Sequence, residues 1–415
     1  MKIGYPNTLE ALNAITSSRR LIASSFYAIS QRRVQQQLAT WHHLLPTVRP
    51  YYAVKCNPEP YLLEWLMYGG AGFDCASQRE VDCVLKSPAV LTGRTPDVVF
   101  ANPCKKRDDI IASAVSGIQT TVVDSIEEVD KLADIGWKGT SLVRLRVEDK
   151  GSKMPFSAKF GLESEAVEHI AAYASTKGQR LSGISFHVGS GCEAPEQYGE
   201  AIKQGISALG TITKSHPEAN TIDIGGGFTT GSKFVDATLE IQKWVGYYPT
   251  LKFIAEPGRF FAQTSHDLFV RVIGKKPARG KGGGWRYTLD ESLYGQFSCI
   301  PFDHAQPRWV RVREPGELQR KSTPAVLYGR TCDSVDFIAA ASEAEELQEG
   351  DMLWFPHMGA YTTVTSTEFN GFPKPPSLIL EAHRPLQLPE PHTIPEREWP
   401  RGLQYASAVE VPKLE

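Results

Sequence analysis

Short β-branched and apolar runs recur between residues 51 and 256, with helix-like segments between them, and this alternation limits the fold more than any other feature. The runs are 51–55, 72–76, 98–102, 120–124, 141–147, 182–188, 221–224 and 252–256. The segments between them include 78–85, 106–114, 126–135, 164–177 and 196–214. Near-continuous apolar strands belong to a parallel sheet covered by helices on both faces. The eight runs predict a parallel (β/α)8 barrel of the TIM type. An open doubly wound sheet is the structural alternative. The barrel is favoured because polar residues capable of chemistry end nearly every run, where a barrel gathers its active face.

Upstream, residues 20–29 read as a strand and 31–45 as an amphipathic helix with Val34, Leu38, Trp41 and Leu45 on one face. After residue 261 the rhythm changes. Residues 266–274, 285–294, 324–330 and 351–355 read as strands divided by Gly, Pro and charged turns. The expected organisation is a barrel domain over 30–261 and a β-rich domain, barrel- or sandwich-like, made by 1–29 together with 262–415. The basic, Gly-rich stretch 275–284 reads as a flexible hairpin loop, and Pro389–Glu415 as an irregular tail.

Composition narrows the class of function. The 415 residues are 41% hydrophobic and 22% charged, enough for a large core, and the net charge of −2 gives no electrostatic case for nucleic acid or an anionic membrane. No apolar run approaches a membrane span, and the first residues lack a signal-peptide core. The seven cysteines are odd in number and lack C-x-x-C spacing, which argues against a disulfide framework and a zinc site. The expectation is a cytoplasmic protein with no metal, no membrane partner and no nucleic-acid partner.

The run ends collect Lys55, Asp74, Arg146, His187, Gly225-Gly226-Gly227 and Glu256-Pro257-Gly258-Arg259. Each alone has a bland reading. Lys55 either emerges into water or, if buried, serves as an amine for Schiff-base chemistry. The triple glycine is either a tight turn or a backbone cradle for phosphate, with Arg259 supplying charge and Ser190 a hydroxyl. His187 is either a satisfied core histidine or a catalytic one. Glu256 is either a turn carboxylate or a partner for a ring nitrogen. Together these groups suit pyridoxal phosphate, which needs an amine for its aldehyde, donors for its phosphate, and often a carboxylate at its ring nitrogen.

The sequence resembles the fold-type III pyridoxal-phosphate amino-acid decarboxylases (ornithine, diaminopimelate and arginine decarboxylases), most of all the eukaryotic-type ornithine enzymes. The matching motifs are Tyr-Ala-Val-Lys55-Cys-Asn, Gly-Phe-Asp74-Cys-Ala-Ser, Phe-His187-Val-Gly-Ser190-Gly-Cys, Asp-Ile-Gly-Gly-Gly227-Phe, Glu256-Pro-Gly-Arg259, Asp303-His-Ala, Thr-Cys332-Asp333 and Met-Gly-Ala-Tyr361-Thr, running in the family's order from about residue 20 to 372.

The resemblance implies that Lys55 holds the cofactor aldehyde and Glu256 pairs with the ring nitrogen. His187 would stack on the ring, with Asp74 and Arg146 nearby; Arg146 is preferred to Arg144 because Leu-Arg-Val fits the motif better. Ser190, Gly227, Gly258, Arg259 and Tyr361 would hold the phosphate. Cys332 would return a proton to the substrate carbon, and Asp303 and Asp333, beside Phe302, would receive the distal ammonium of a basic amino acid. In the family Cys332 and Asp333 reach the site from a neighbouring subunit, which implies a head-to-tail homodimer with shared sites.

Three departures stand out: Phe302 and Phe260 where tyrosines are usual, and Arg330 where a proline is common. The reaction expected is decarboxylation of L-ornithine to putrescine. A lysine or dual lysine/ornithine enzyme is the close alternative, and a catalytically inactive regulatory relative a more distant one. Diaminopimelate decarboxylases carry Cys-Glu-Ser where this chain has Cys332-Asp333-Ser334.

Overall fold

The computed structural model describes residues 2–4, 24–278, 283–313 and 316–381. Two compact units divide the chain, Gln36–Phe261 and a second made of Met1–Gln35 with Ala262–Glu415.

The first unit is the expected (β/α)8 barrel. Its strands are β1 (Val48–Ala53), β2 (Gly72–Cys75), β3 (Val98–Phe100), β4 (Thr120–Val123), β5 (Thr140–Arg144), β6 (Arg180–Ser185), β7 (Thr221–Asp223) and β8 (Lys252–Ala255), all parallel and closed by β8 pairing with β1. Two connecting helices begin on Ser-x-x-Glu signals. Ser77 and Ser125 accept the N–H groups of Glu80 and Glu128, which would otherwise be orphaned in the first turn. Inward side chains on β1, β3, β4, β5 and β8, with Ala101 just past β3, close the interior: Tyr51, Val99, Ala101, Val122, Leu142 and Ile254 pack as one buried cluster. Outside, Trp41 lies against Phe228, Phe234, Phe260 and Phe261 at 5.0–5.8 Å. Phe260 therefore sits in an all-aromatic pocket, which accounts for the absence of a tyrosine hydroxyl there.

Several strands stop earlier than their apolar runs. The run 141–147 leaves the sheet after Arg144, and 182–188 after Ser185, although Phe186 and Val188 are fully buried. Residues at the rim are as buried as those in the sheet, so hydrophobicity does not mark where the ladder ends. Helices Pro60–Tyr68 and Ser232–Tyr247 also belong to this unit and were not read from the sequence.

The second unit is β-rich, as expected. A nine-stranded sheet runs in the order 2–4, 377–381, 26–30, 266–277, 285–289, 322–328, 337–345, with 352–355 pairing 266–277 and 310–311. Phe26, Ala28, Phe269, Met352, Leu378 and Leu380 form its core on one side. The strand Phe337–Glu345 was missed because Phe-Ile-Ala-Ala-Ala-Ser-Glu-Ala-Glu is rich in residues that strands disfavour. Part of the 275–284 loop and the tail after 381 lie outside the described residues.

Candidate active site

Because the barrel strands are parallel, their carboxyl ends share one rim. Lys55 lies in a single 3-10 turn, Val54–Cys56, immediately after β1. Its Nζ is 2.7 Å from Asp74 Oδ2 on the neighbouring β2; the Asp74 side chain is fully buried, whereas the Lys55 side chain is 38% exposed. A lysine so anchored points its amine at a fixed place while remaining reachable from the mouth. The strand therefore does not simply surface at Lys55.

Three in-register positions continue the rim. Arg144 on β5 pairs with Ser185 on β6, and Ser185 with Asp223 on β7. Glu256 follows β8 directly and is buried, and its Oε1 receives no N–H or O–H from the described residues. Asp74 Oδ1 is likewise without a donor. Burial pushes the Glu256 carboxyl well above the usual range, helped by Asp223 and Asp74 and opposed by Lys55 and Arg144. His187 is driven the other way. Burial, with the Arg144 and Lys55 cations, holds its imidazole well below the ordinary value, so it is neutral. Its Nδ1 accepts the Gly189 N–H at 3.0 Å, and Phe156 meets its ring edge-on at 4.9 Å.

The glycine turn after β7 is built for close approach. A Cβ on Gly226 would stand 2.7 Å from His187 Nε2, and Gly227 adopts a φ of +96° that other residues rarely take. Tyr198 donates its hydroxyl to Gly226 O at 2.9 Å, and the Cys192 N–H to Gly227 O at 3.1 Å, which ties this turn to the Ser190–Cys192 segment. Gly258 packs against Ala53 at the end of β1 and Cys56 in the turn after it, and Arg259 opens the short helix that follows. Ser190, Gly227, Gly258 and Arg259 thus all lie in segments that follow barrel strands at their carboxyl ends.

Arg146 does not join them. The chain leaves the barrel after Arg144, Leu145 bridges Leu162, and Arg146 is carried outward to a half-exposed ion pair with Glu163 at 2.6 Å. Arg144, 7% exposed, is the arginine whose charge bears on His187, Asp223 and Glu256. The motif match pointed one turn of pleat too far.

The remaining expected residues lie in the β-rich unit. Cys332 is exposed, with its Sγ 3.3 Å and its N–H 3.1 Å from Asn370 Oδ1. Asp333 accepts the Tyr294 hydroxyl at 2.5 Å, and that hydrogen bond, with the Val335 N–H, lowers its carboxyl below the usual range, so it is ionised at neutral pH. Buried Asp336 shapes this loop by accepting Leu293 N–H, Thr331 N–H and the Thr331 hydroxyl. Arg330 turns away from Asp333 toward Glu291 at 3.6 Å and covers the Phe372 ring. Phe302, 62% exposed, and Asp303 end a short helix, and Tyr361 sits in a loop with a φ of +56°. Asp223, Asn370, Tyr294 and Asp336 were not singled out by sequence; only the Asp-Ile-Gly-Gly-Gly motif carried a signal for one of them.

Residues 31–263 match the sequence profile of the family described as pyridoxal-dependent decarboxylase, pyridoxal binding domain. The chain belongs to the fold-type III pyridoxal-dependent decarboxylases, within the ornithine-decarboxylase-like group. It is 36% identical over 374 residues to a chloroplastic ornithine decarboxylase of Nicotiana glauca, covering 87% of this chain and 84% of the relative. Among solved structures, the arginine decarboxylase of Paramecium bursaria Chlorella virus aligns with a TM-score of 0.82 at 34% identity, over 89% of this chain and 100% of that one. The lysine/ornithine decarboxylase of Vibrio vulnificus, complexed with cadaverine, aligns at 0.78 and 31% identity, over 90% and 99%. The cofactor that this domain binds fits the mouth: a reachable amine, a buried carboxyl oxygen with no donor, a neutral imidazole and glycine turns that admit a close ligand.

Proposed function

We propose that the chain decarboxylates L-ornithine to putrescine and carbon dioxide. The observation that carries the reading is the Lys55–Asp74 pair at the barrel mouth, facing a buried Glu256 without a donor. When bound, pyridoxal phosphate supplies the electron-withdrawing ring that takes up the electrons of the broken carboxylate bond. The chain's residues do the rest. Lys55 gives the amine that anchors the cofactor. Glu256 would meet the ring nitrogen, Arg144 and Asp74 would set the charge around it, and neutral His187 would support the ring. Ser190, Gly227, Gly258, Arg259 and Tyr361 would hold the phosphate.

Cys332 delivers a proton from Sγ to the substrate carbon, and Asp333, ionised through Tyr294, receives the distal ammonium with Asp303 and beside Phe302. These last residues act from the second chain of a homodimer. The exposure of Cys332 and Phe302 in a single chain supports that arrangement. The odd number of scattered cysteines without C-x-x-C spacing supports a cytoplasmic setting.

The identity to ornithine decarboxylases favours ornithine, whereas lysine differs from it by one methylene, worth only about 1–3 kcal/mol of discrimination. The structural likeness to lysine/ornithine and arginine decarboxylases makes those substrates the second reading. Steady-state kinetics with ornithine, lysine and arginine side by side test it. A higher kcat/KM for ornithine is expected; a preference for either other substrate overturns the assignment. A chain that gains no visible absorbance band with pyridoxal phosphate would support the inactive regulatory relative instead.

A further inference from the structure

We propose that Phe156 is a positioning residue for His187: the loop between β5 and β6 presents its ring to the imidazole, and buried Asp149 holds it there. The inference rests on the reading of His187 as support for the cofactor ring. The Phe156 and His187 rings meet edge to face, with centroids 4.9 Å apart and planes at 60°, an arrangement that aromatic rings prefer to a parallel sandwich. The Gly189 N–H holds His187 Nδ1 at 3.0 Å. With one nitrogen tied and one side of the ring packed, the tilt of the imidazole is restricted.

The loop is built to deliver that ring. Asp149 is buried, and its Oδ2 accepts the Phe156 N–H and, at 2.8 Å, the Ser157 N–H, while its Oδ1 accepts the Ser157 hydroxyl at 2.6 Å. Three donors from two adjacent residues fix the backbone at Phe156 and so the direction of its side chain. A second set of bonds ties the loop to the turn that follows His187. Residues 152–154 pair antiparallel with 190–192, the Ser152 hydroxyl donates to Val188 O, and the Gly151 N–H donates to Gln197 Oε1 at 2.6 Å. The approach is close: at Gly189, where φ is +85°, a Cβ would stand 2.6 Å from Ser152 Cβ.

Phe156 acts without charge. Arg144 on β5 and Lys55 after β1 are the cations that bear on His187, and Asp74, Asp223 and Glu256 stand buried on the same rim. The loop's other charges are engaged elsewhere: Lys150 with Glu148 at 3.3 Å, Lys153 with Glu193 at 3.8 Å, and Lys159 over the Phe160 ring. The Phe156 ring fills space that water would take, and burial is the largest cause holding the imidazole below its ordinary value. Removing that ring therefore changes the hydration of His187 while every neighbouring charge stays in place. An imidazole kept dry and fixed in tilt meets a cofactor ring in one geometry.

NMR of the full chain with labelled histidine rings, followed against pH, tests this; the His187 signal is the one lost in His187→Ala protein. In Phe156→Ala protein the His187 ring should titrate about 1–2 pH units higher than in the unaltered chain. With pyridoxal phosphate bound, kcat should fall about 10-fold while KM changes less than ~2-fold. Phe156→Leu, which keeps an apolar side chain at the contact, should restore most of both. Asp149→Asn should move both in the same direction by less, since an amide offers one acceptor oxygen where the carboxyl offers two. An unshifted His187 titration in folded Phe156→Ala protein overturns the proposal, even if the melting temperature falls. A shift there with none in Asp149→Asn overturns the part given to Asp149. If His187→Ala protein keeps a normal visible cofactor band and kcat, the underlying reading of His187 fails, and this proposal with it.

Discussion

The barrel mouth and the Cys332 loop place chemically able groups in opposite surroundings. At the mouth, Asp74, Asp223, Glu256 and His187 are nearly or wholly removed from solvent, and burial is the largest cause, with neighbouring charges, that shifts the last three from their usual protonation. In the β-rich unit, Cys332 is exposed and Asp333 owes its lowered carboxyl to hydrogen bonds, first from Tyr294 and then from the Val335 N–H. The mouth is pre-set within one chain, because strand register fixes which side chains share the interior. The loop is ordered by Asp336 and Asn370 yet not desolvated. Under the proposed dimer, it is the second chain that would exclude water from it. Under the proposed function, one region would fix the cofactor and the other would receive the substrate.

Removing the anchoring amine should have the largest effect. Lys55→Ala should abolish the visible cofactor band and lower kcat at least ~10³-fold, read by absorbance and product release. Intact activity in that variant would break the assignment of the mouth. On the loop side, Cys332→Ala should lower kcat about 10²–10⁴-fold while leaving the visible band in place. Asp333→Asn should act mainly on KM, raising it for a cationic substrate roughly 10–100-fold through loss of a charged hydrogen bond.

A sharper contrast lies within the barrel. Arg144→Ala should raise the pH at which the His187 ring titrates, since one of the cations depressing it is gone; the ring's chemical shift against pH reads this. Arg146→Ala removes an exposed ion pair worth about 0–1 kcal/mol and should change activity by less than ~2-fold.

The smallest effect concerns stability. Asp223 is raised from 3.8 to about 6 in the folded chain, so between those values the folded state holds a proton that the unfolded state has lost. Cofactor-free protein should therefore lose stability as pH rises through that window, the loss being complete above about 6. Asp223→Asn, which removes the titrating carboxyl, should flatten this dependence in thermal melts.

Much of this was legible in the chain, for identifiable reasons. Parallel strands buried on both faces write themselves as apolar runs, so the barrel could be read. Residues ending those runs, Lys55, Asp74, His187 and Glu256, stand at the rim because the runs stop there. Where a run stops was harder to read. The apolar stretch around Arg144 and Arg146 continues past the sheet, and only the Leu145–Leu162 bridge shows that the chain has turned outward. The partners of Cys332 and Asp333 were illegible for a different reason. Asn370 and Tyr294 lie 38 and 39 residues away along the chain, and no local pattern links them.

The claim that two chains complete each site is tested most directly by co-expressing Lys55→Ala and Cys332→Ala chains with different tags and isolating the mixed dimer. Each parent is expected to be inactive. The account predicts that the mixed dimer recovers decarboxylation, because one of its sites combines an intact Lys55 with an intact Cys332. A mixed dimer as inactive as both parents would contradict it.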